Sequence, residues 1–145
     1  MSILQSTNIV TAAYNAIVAD VDAIVERNSD APISPTIDGH IIIRDAAPNI
    51  EDGTLGATHT FYLHLEIPIE IYMIGSDTKD RAERLSLLSS DVRTSLLTDS
   101  SLLALVNFLD VLPSEVMTFS EDGARSVDAS ALTLVVEYDS TIGIG

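Results

Sequence analysis

The sequence predicts an α+β domain, with an N-terminal helix and a central helix packed on one face of a mainly antiparallel sheet. Three observations predict it. Apolar residues from Val10 to Ile24 recur at three- and four-residue steps, the period of an amphipathic helix. Residues 58–73 alternate apolar and polar almost without error, as a strand with one buried face does. Two β-prone runs near the C-terminus flank Glu121-Asp122-Gly123, which is hairpin turn chemistry. At 145 residues and 46% hydrophobic, the chain has the size and composition of one domain, 1–145, with a conventional core.

The first helix carries Val10, Ala13, Tyr14, Ile17, Val21 and Ile24 on its apolar side, with Thr7 or Asn8 as N-cap, and is expected to reach about Arg27. Pro32 and Pro35 make the following segment a connector. A short strand is expected over 37–45, around Ile41, Ile42 and Ile43. The stretch 45–57 (DAAPNIEDGTLGA) reads as a long exposed loop or hairpin tip.

The alternating strand puts Phe61, Leu63, Leu65, Ile67, Ile69, Ile71 and Met73 on one face and Thr60, Tyr62, His64, Glu66, Glu70 and Tyr72 on the other. Sixteen residues would reach ~50 Å, so part of the strand is expected to project past the domain. Pro68 lacks a ladder donor and predicts an edge, a bulge or both. Gly75 ends the strand, and Ser76 or Asp77 caps a second helix with Asp80 in its first turn. Leu85, Leu88, Val92 and Leu96 form the buried stripe of that helix, with Lys79, Arg81, Glu83 and Arg84 facing water. Thr98 to Ser101 ends it and caps a short helix around 102–106; residues 107–113 return to the sheet. Val116, Thr118 and Phe119 pair with a returning strand over 127–139, which places Leu132, Leu134, Val136 and Tyr138 on one face. The tail, 140–145, is small and loose.

Composition narrows the function. There are no cysteines, so disulfides and thiolate metal sites are excluded. The N-terminus lacks a basic region followed by a long apolar run, so no secretory signal is expected, and no apolar run reaches the roughly 18 residues of a membrane span. Twenty-two acidic residues against seven basic ones give a formal charge of −15, and only one of the seven is lysine, Lys79. Capture of nucleic acid needs Lys or Arg to displace counterions from phosphates, so this chain should repel DNA and anionic membranes. A solvated acidic surface accounts for the charge. So do a high-salt cytoplasm, where screening tames self-repulsion, and the wall of a channel through which DNA slides without sticking.

The candidate reactive residues do not converge. His59 and His64 are five apart on one strand and point to opposite faces. His40 and His59 could be cross-strand neighbours, but zinc would need a third ligand such as Asp38 and usually shows closer ligand pairing. Glu66 and Glu70 stand about 13 Å apart by strand rise, wider than the roughly 5 to 9.5 Å of glycosidase carboxyl pairs. No nucleophile elbow, phosphate-cradling glycine loop or H-E-x-x-H motif occurs. Gly53 and Gly56 have no basic partner nearby for phosphate binding. The expectation is a protein without catalysis, cofactor or metal. Its interface residues are expected to be Asn49, Glu51 and Asp52 in the loop and Tyr62, His64, Glu66, Glu70 and Tyr72 on the polar strand face.

The order of elements has a counterpart. An amphipathic helix, a strand and a polar loop lead to a long alternating strand ending in Gly75-Ser76-Asp77. Then follow the helix RAERLSLLSSDVRTSLL, the turn DSSLLALV and a strand pair ending in LTLVVEY. From about Asn8 to Tyr138 this resembles the tail terminator (tail completion) proteins of long-tailed bacteriophages and their archaeal relatives. The resemblance lies in element order rather than in a sharp motif. It implies a hexameric ring in the virion, made in the host cytoplasm. Such a ring caps the tail tube, stops polymerisation of the tube protein and docks the head connector, while DNA passes through the lumen without specific binding. A head–tail stopper or connector, or a small non-viral α+β binding module, is the alternative.

The charge makes a salt prediction. Between about 0.1 M and about 1 M salt the Debye length falls from ~10 Å to ~3 Å, so self-repulsion weakens within and between copies. We expect both the melting temperature and the self-association of the chain to rise over that range in KCl. A melting temperature that is unchanged or lower at the higher salt contradicts this.

Overall fold

A computed structural model describes residues 4–28, 39–53, 61–75, 77–113, 117–119 and 126–140. The elements are α1 (Gln5–Asp20), β1 (Ile24–Arg27), β2 (His40–Ile43), β3 (Asn49–Gly53), β4 (Phe61–Gly75), α2 (Thr78–Thr98), α3 (Ser100–Leu103), β5 (Phe108–Pro113), β6 (Met117–Phe119) and β7 (Ser126–Ser140). The strands form one sheet of order β1-β2-β4-β7-β5, with β3 beside β4 and β6 beside β7. Only β1–β2 is parallel. The architecture is α+β, with the helices on one face of the sheet.

The spine is the β4–β7 pair, in register from Phe61↔Ser140 to Gly75↔Ser126 without a break. The alternation of β4 buries Leu63, Leu65, Ile67, Ile69, Ile71 and Met73. Across the ladder, Leu132, Leu134, Val136 and Tyr138 of β7 join the same face. The long strand therefore does not project past the domain, because β7 is equally long and pairs with all of it. Nor is β4 an edge: β2 takes its other side at 69–72 and β3 at 61–64. Pro68 falls in the gap between them. The Arg44 amide donates to the Pro68 carbonyl at 3.1 Å, and the reciprocal bond of that pair would need the N–H that proline lacks. The β2 ladder stops there.

Several boundaries differ from the sequence expectation. The first helix starts at Gln5 with Leu4, not Thr7 or Asn8, at its N-cap, and ends at Asp20. Carboxylates at Asp20 and Asp22 oppose the negative end of the helix dipole, and the β-branched Ile24 and Val25 pair with β2 instead. Within 45–57, residues 49–53 are a strand rather than loop, because they find the open side of β4. Ser140 closes β7 instead of starting a tail. The short helix begins at Ser100, since the Asp99 carboxylate accepts the Leu102 amide at 2.8 Å. Asp77 caps α2 by accepting the amides of Lys79 and Asp80. The connector at 31–36, the turn at 121–123 and residues 141–145 lie outside the described residues.

Helix α1 packs Ile9, Val10, Ala13 and Ile17, and α2 packs Leu85, Leu88, Val92 and Leu96, into one core with the sheet. The buried Ser95 hydroxyl of α2 lies 2.9 Å from both the Ala16 carbonyl and the Asp20 carboxylate of α1. Gly39 enters β2 with φ +101°, and a Cβ there would meet Leu88 Cδ2 at 2.5 Å. Only glycine combines that conformation with that approach. Asn28, at φ 53°, ends β1, and its side-chain oxygen accepts the Asp45 amide at 2.7 Å.

Arg81 does not face water. It lies one turn before Leu85 on the buried stripe, 2% exposed. Its Nε lies 3.0 Å from Asp128 Oδ1 of β7, and its Nη1 donates to the Gly75 carbonyl at 2.7 Å. Arg84 donates to the Ile74 carbonyl at 3.0 Å. The two guanidiniums thus tie the end of β4 and the start of β7 to the first turns of α2. Removing one partner from a buried pair strands a charge, whereas replacing both by apolar groups need not destabilise. We expect Asp128→Ala to cost about 3–5 kcal/mol and Arg81→Met with Asp128→Leu to recover most of it, measured by urea unfolding. A cost below about 1 kcal/mol for Asp128→Ala contradicts a stranded charge.

Candidate interface on the open face of the sheet

The even-numbered residues of β4 stand on the sheet face opposite the helices. Register places Asp139, Glu137, Val135, Thr133, Ala131 and Ala129 of β7 beside Tyr62, His64, Glu66, Pro68, Glu70 and Tyr72. Phe108, Asp110 and Leu112 of β5 continue the face on one side, and Ile42, His40, Glu26 and Ile24 on the other. Six of these residues are carboxylates, Glu26, Glu66, Glu70, Asp110, Glu137 and Asp139. Among the described residues no helix covers this face, so much of the acidic surface is gathered here.

The polar groups form two clusters near opposite ends of β4. At one end, His64 Nε2 lies 3.3 Å from Glu66 Oε1, and His64 Nδ1 lies 3.7 Å from Glu137 Oε1. At the other, Arg44, just beyond β2, donates from Nε to Glu70 Oε2, and the Tyr72 hydroxyl donates to Glu70 Oε1 at 2.5 Å. Burial by itself would raise the Glu70 pKa. The hydrogen bonds from Arg44 and Tyr72, with the Arg44 charge, outweigh it and hold the carboxyl below its ordinary 4.5. Tyr72 is pushed up to about 12 by burial, by its bond to Glu70 and by the Glu70 charge. Beside this cluster the buried His40 imidazole meets Glu26 at 3.2 Å, and Ile42, fully buried, sits in register with Glu26 and Glu70.

The expected interface residues are therefore distributed rather than clustered. Asn49 is exposed and opposite His64; Asp52 is opposite Tyr62, and Glu51 is the extra residue of a bulge between Ile50 and Asp52. Glu70 and Tyr72 lie some six to ten residues further along β4, roughly 20–33 Å by strand rise. His40 faces Tyr72, while His59 and Asp38 lie outside the described residues. Among the described residues, no group of three His, Cys, Asp or Glu could hold a metal ion, and no helix is long and apolar enough to cross a membrane. The sequence reading missed Arg44, Glu26, Glu137 and the apolar residues of β5. Their place beside the stripe follows from strand pairing, which alternation in one strand does not reveal. What this face can do is present fixed carboxylates and hydrogen-bonding rings to another macromolecule.

Glu70→Gln keeps the shape of the lower cluster and removes its charge. We expect it to cost about 1 kcal/mol at neutral pH. Because the folded Glu70 pKa lies below 4.5, the stabilisation is complete above pH 4.5 and is lost as pH falls through the folded value. The two proteins should converge in urea unfolding once the pH is below that folded value. Tyr72 acts with the opposite sense: its contribution is complete below pH 10 and lost as pH rises toward 12. A gap that stays constant across the acid range contradicts the charged pairing.

No protein-family model matches the chain and no curated protein matches it, so the reading of this face rests on its own geometry and charge.

Proposed function

We propose that this chain is a structural virion subunit, a tail terminator that forms a ring: it caps the tail tube, stops the tube protein from polymerising further and joins the tail to the head connector. The observation that carries this reading is the element order around β4. A fifteen-residue strand runs through Gly75 and the Asp77 cap into a 21-residue helix, then a short helix and a long returning strand. That is the order the resemblance rests on. The charge supports it as well. A carboxylate-rich sheet face suits a conduit through which DNA slides, because fixed anions repel phosphates and offer no Lys or Arg to displace the counterions of DNA. A head–tail stopper built as a small β-barrel fits less well with a sheet that, among the described residues, does not close.

The test is imaging of tails assembled with and without the protein. A phage or virus lacking it should make overgrown tubes of variable length, and complementation should restore uniform tails with six-fold density at the head-proximal end. Tails of normal length without the protein, or a different symmetry at its position, would sink the terminator reading. A free chain that sediments as a monomer or dimer and plays no part in tails would favour a small binding module instead.

A further inference from the structure

The strands that end the main path of the sheet, β1 and β5, are matched. Among the described residues, no strand pairs with the outer side of β1 or of β5. β1 runs parallel to β2, while β2, β4, β7 and β5 alternate in direction, so β1 and β5 run opposite to each other. An exposed edge is a template for another strand. If the sheet of one copy continues into the next with its helices kept on the same side, β5 meets β1 antiparallel, the more stable pairing.

Charge selects the same place. On a chain of −15 most surfaces oppose a second copy. From Ser100 to Pro113 the only charged residue is Asp110, and Arg93 reaches it from α2 at 3.9 Å. This locally neutral strip exposes Leu103, Phe108 and Leu112, each more than two-fifths exposed. Ile24, at the start of β1, is equally exposed and lies on the same sheet face as Phe108 and Leu112.

We infer that copies of this chain join head to tail, β5 of one pairing antiparallel with β1 of the next, with Ile24 brought against Phe108 or Leu112. One contact of this kind covers the outer sides of both β1 and β5 in every copy, and a head-to-tail contact closes into a ring when its rotation allows. A β5–β5 contact would give a two-fold dimer and leave β1 open. The inference deepens the ring reading above and rests on it.

The chain has no cysteine, so introduced pairs report contacts cleanly. The full-length variants are Ile24→Cys with Phe108→Cys, Ile24→Cys with Leu112→Cys, and each single substitution. They are oxidised with copper phenanthroline in about 1 M KCl, where repulsion is screened, and read on non-reducing gels beside sedimentation of the unmodified chain. At least one double variant should give a ladder of covalent multimers while Ile24→Cys alone stays monomeric. Phe108→Lys with Leu112→Lys should weaken association on the order of tenfold or more with an unchanged melting temperature, since both side chains are exposed. Covalent dimers from Phe108→Cys or Leu112→Cys alone would overturn the head-to-tail pairing. So would association that yields no cross-link in either double variant, though the ring reading would survive. A chain that stays monomeric in that salt overturns the edge contact, and six-fold density at the tail end would then still leave the ring reading standing.

Discussion

The fifteen-residue ladder between β4 and β7 is the constraint from which the rest of the structure follows. Its length leaves room on each flank for two short strands in succession, β2 then β3 on one side and β5 then β6 on the other. Its alternation divides the molecule into a face that must be covered and a face that need not be. The covered face takes α1 and α2, whose aliphatic stripes have no other place to be buried. At one end of the ladder, where Gly75 pairs with Ser126, the buried Arg81–Asp128 pair and the Arg84 bond to Ile74 secure the helix to the sheet. Pro68 marks the single point where the flanking partner must change.

The division of faces also organises the charge. Asp128 is the one carboxylate of β7 on the covered face, and there it is matched by a guanidinium. On the open face carboxylates outnumber the groups that pair with them, and those partners are local: Arg44 for Glu70, the His64 ring for Glu66 and Glu137. The result is a surface whose side chains are held in place yet remain strongly anionic. The neutral strip along β5 is the exception. In the proposed assembly the contacts would fall at the sheet edges and leave the acidic face uncovered.

Single-strand alternation made the polar face of β4 legible, because a period of two assigns every residue to a side without knowledge of neighbours. Tyr62, His64, Glu66, Glu70 and Tyr72 are on one face as that period requires. The same reasoning could not join Arg44 to Glu70, twenty-six residues apart, or His64 to Glu137. It also could not tell a solvated arginine from a buried one at position 81. Helical spacing did put Arg81 in line with Leu85, but a charged side chain reads as exposed until a partner such as Asp128 is brought to it by the fold.

By itself the sequence determined the α+β class, the long strand, the α2 stripe with a cap at Ser76 or Asp77, and the acidic character of the surface. These depend on residues within a few turns or pleats of one another. Only the tertiary structure decided that α1 stops at Asp20, that 49–53 is a strand, and that β4 is central rather than projecting. Each of those outcomes turns on a backbone partner supplied from elsewhere in the chain: β2 for Ile24 to Arg27, β4 for Asn49 to Gly53, and β7 for the whole of β4. A strand satisfies its N–H and C=O groups outside its own segment, whereas a helix satisfies them within. That difference is why the central helix could be read from local pattern and the edges of the sheet could not.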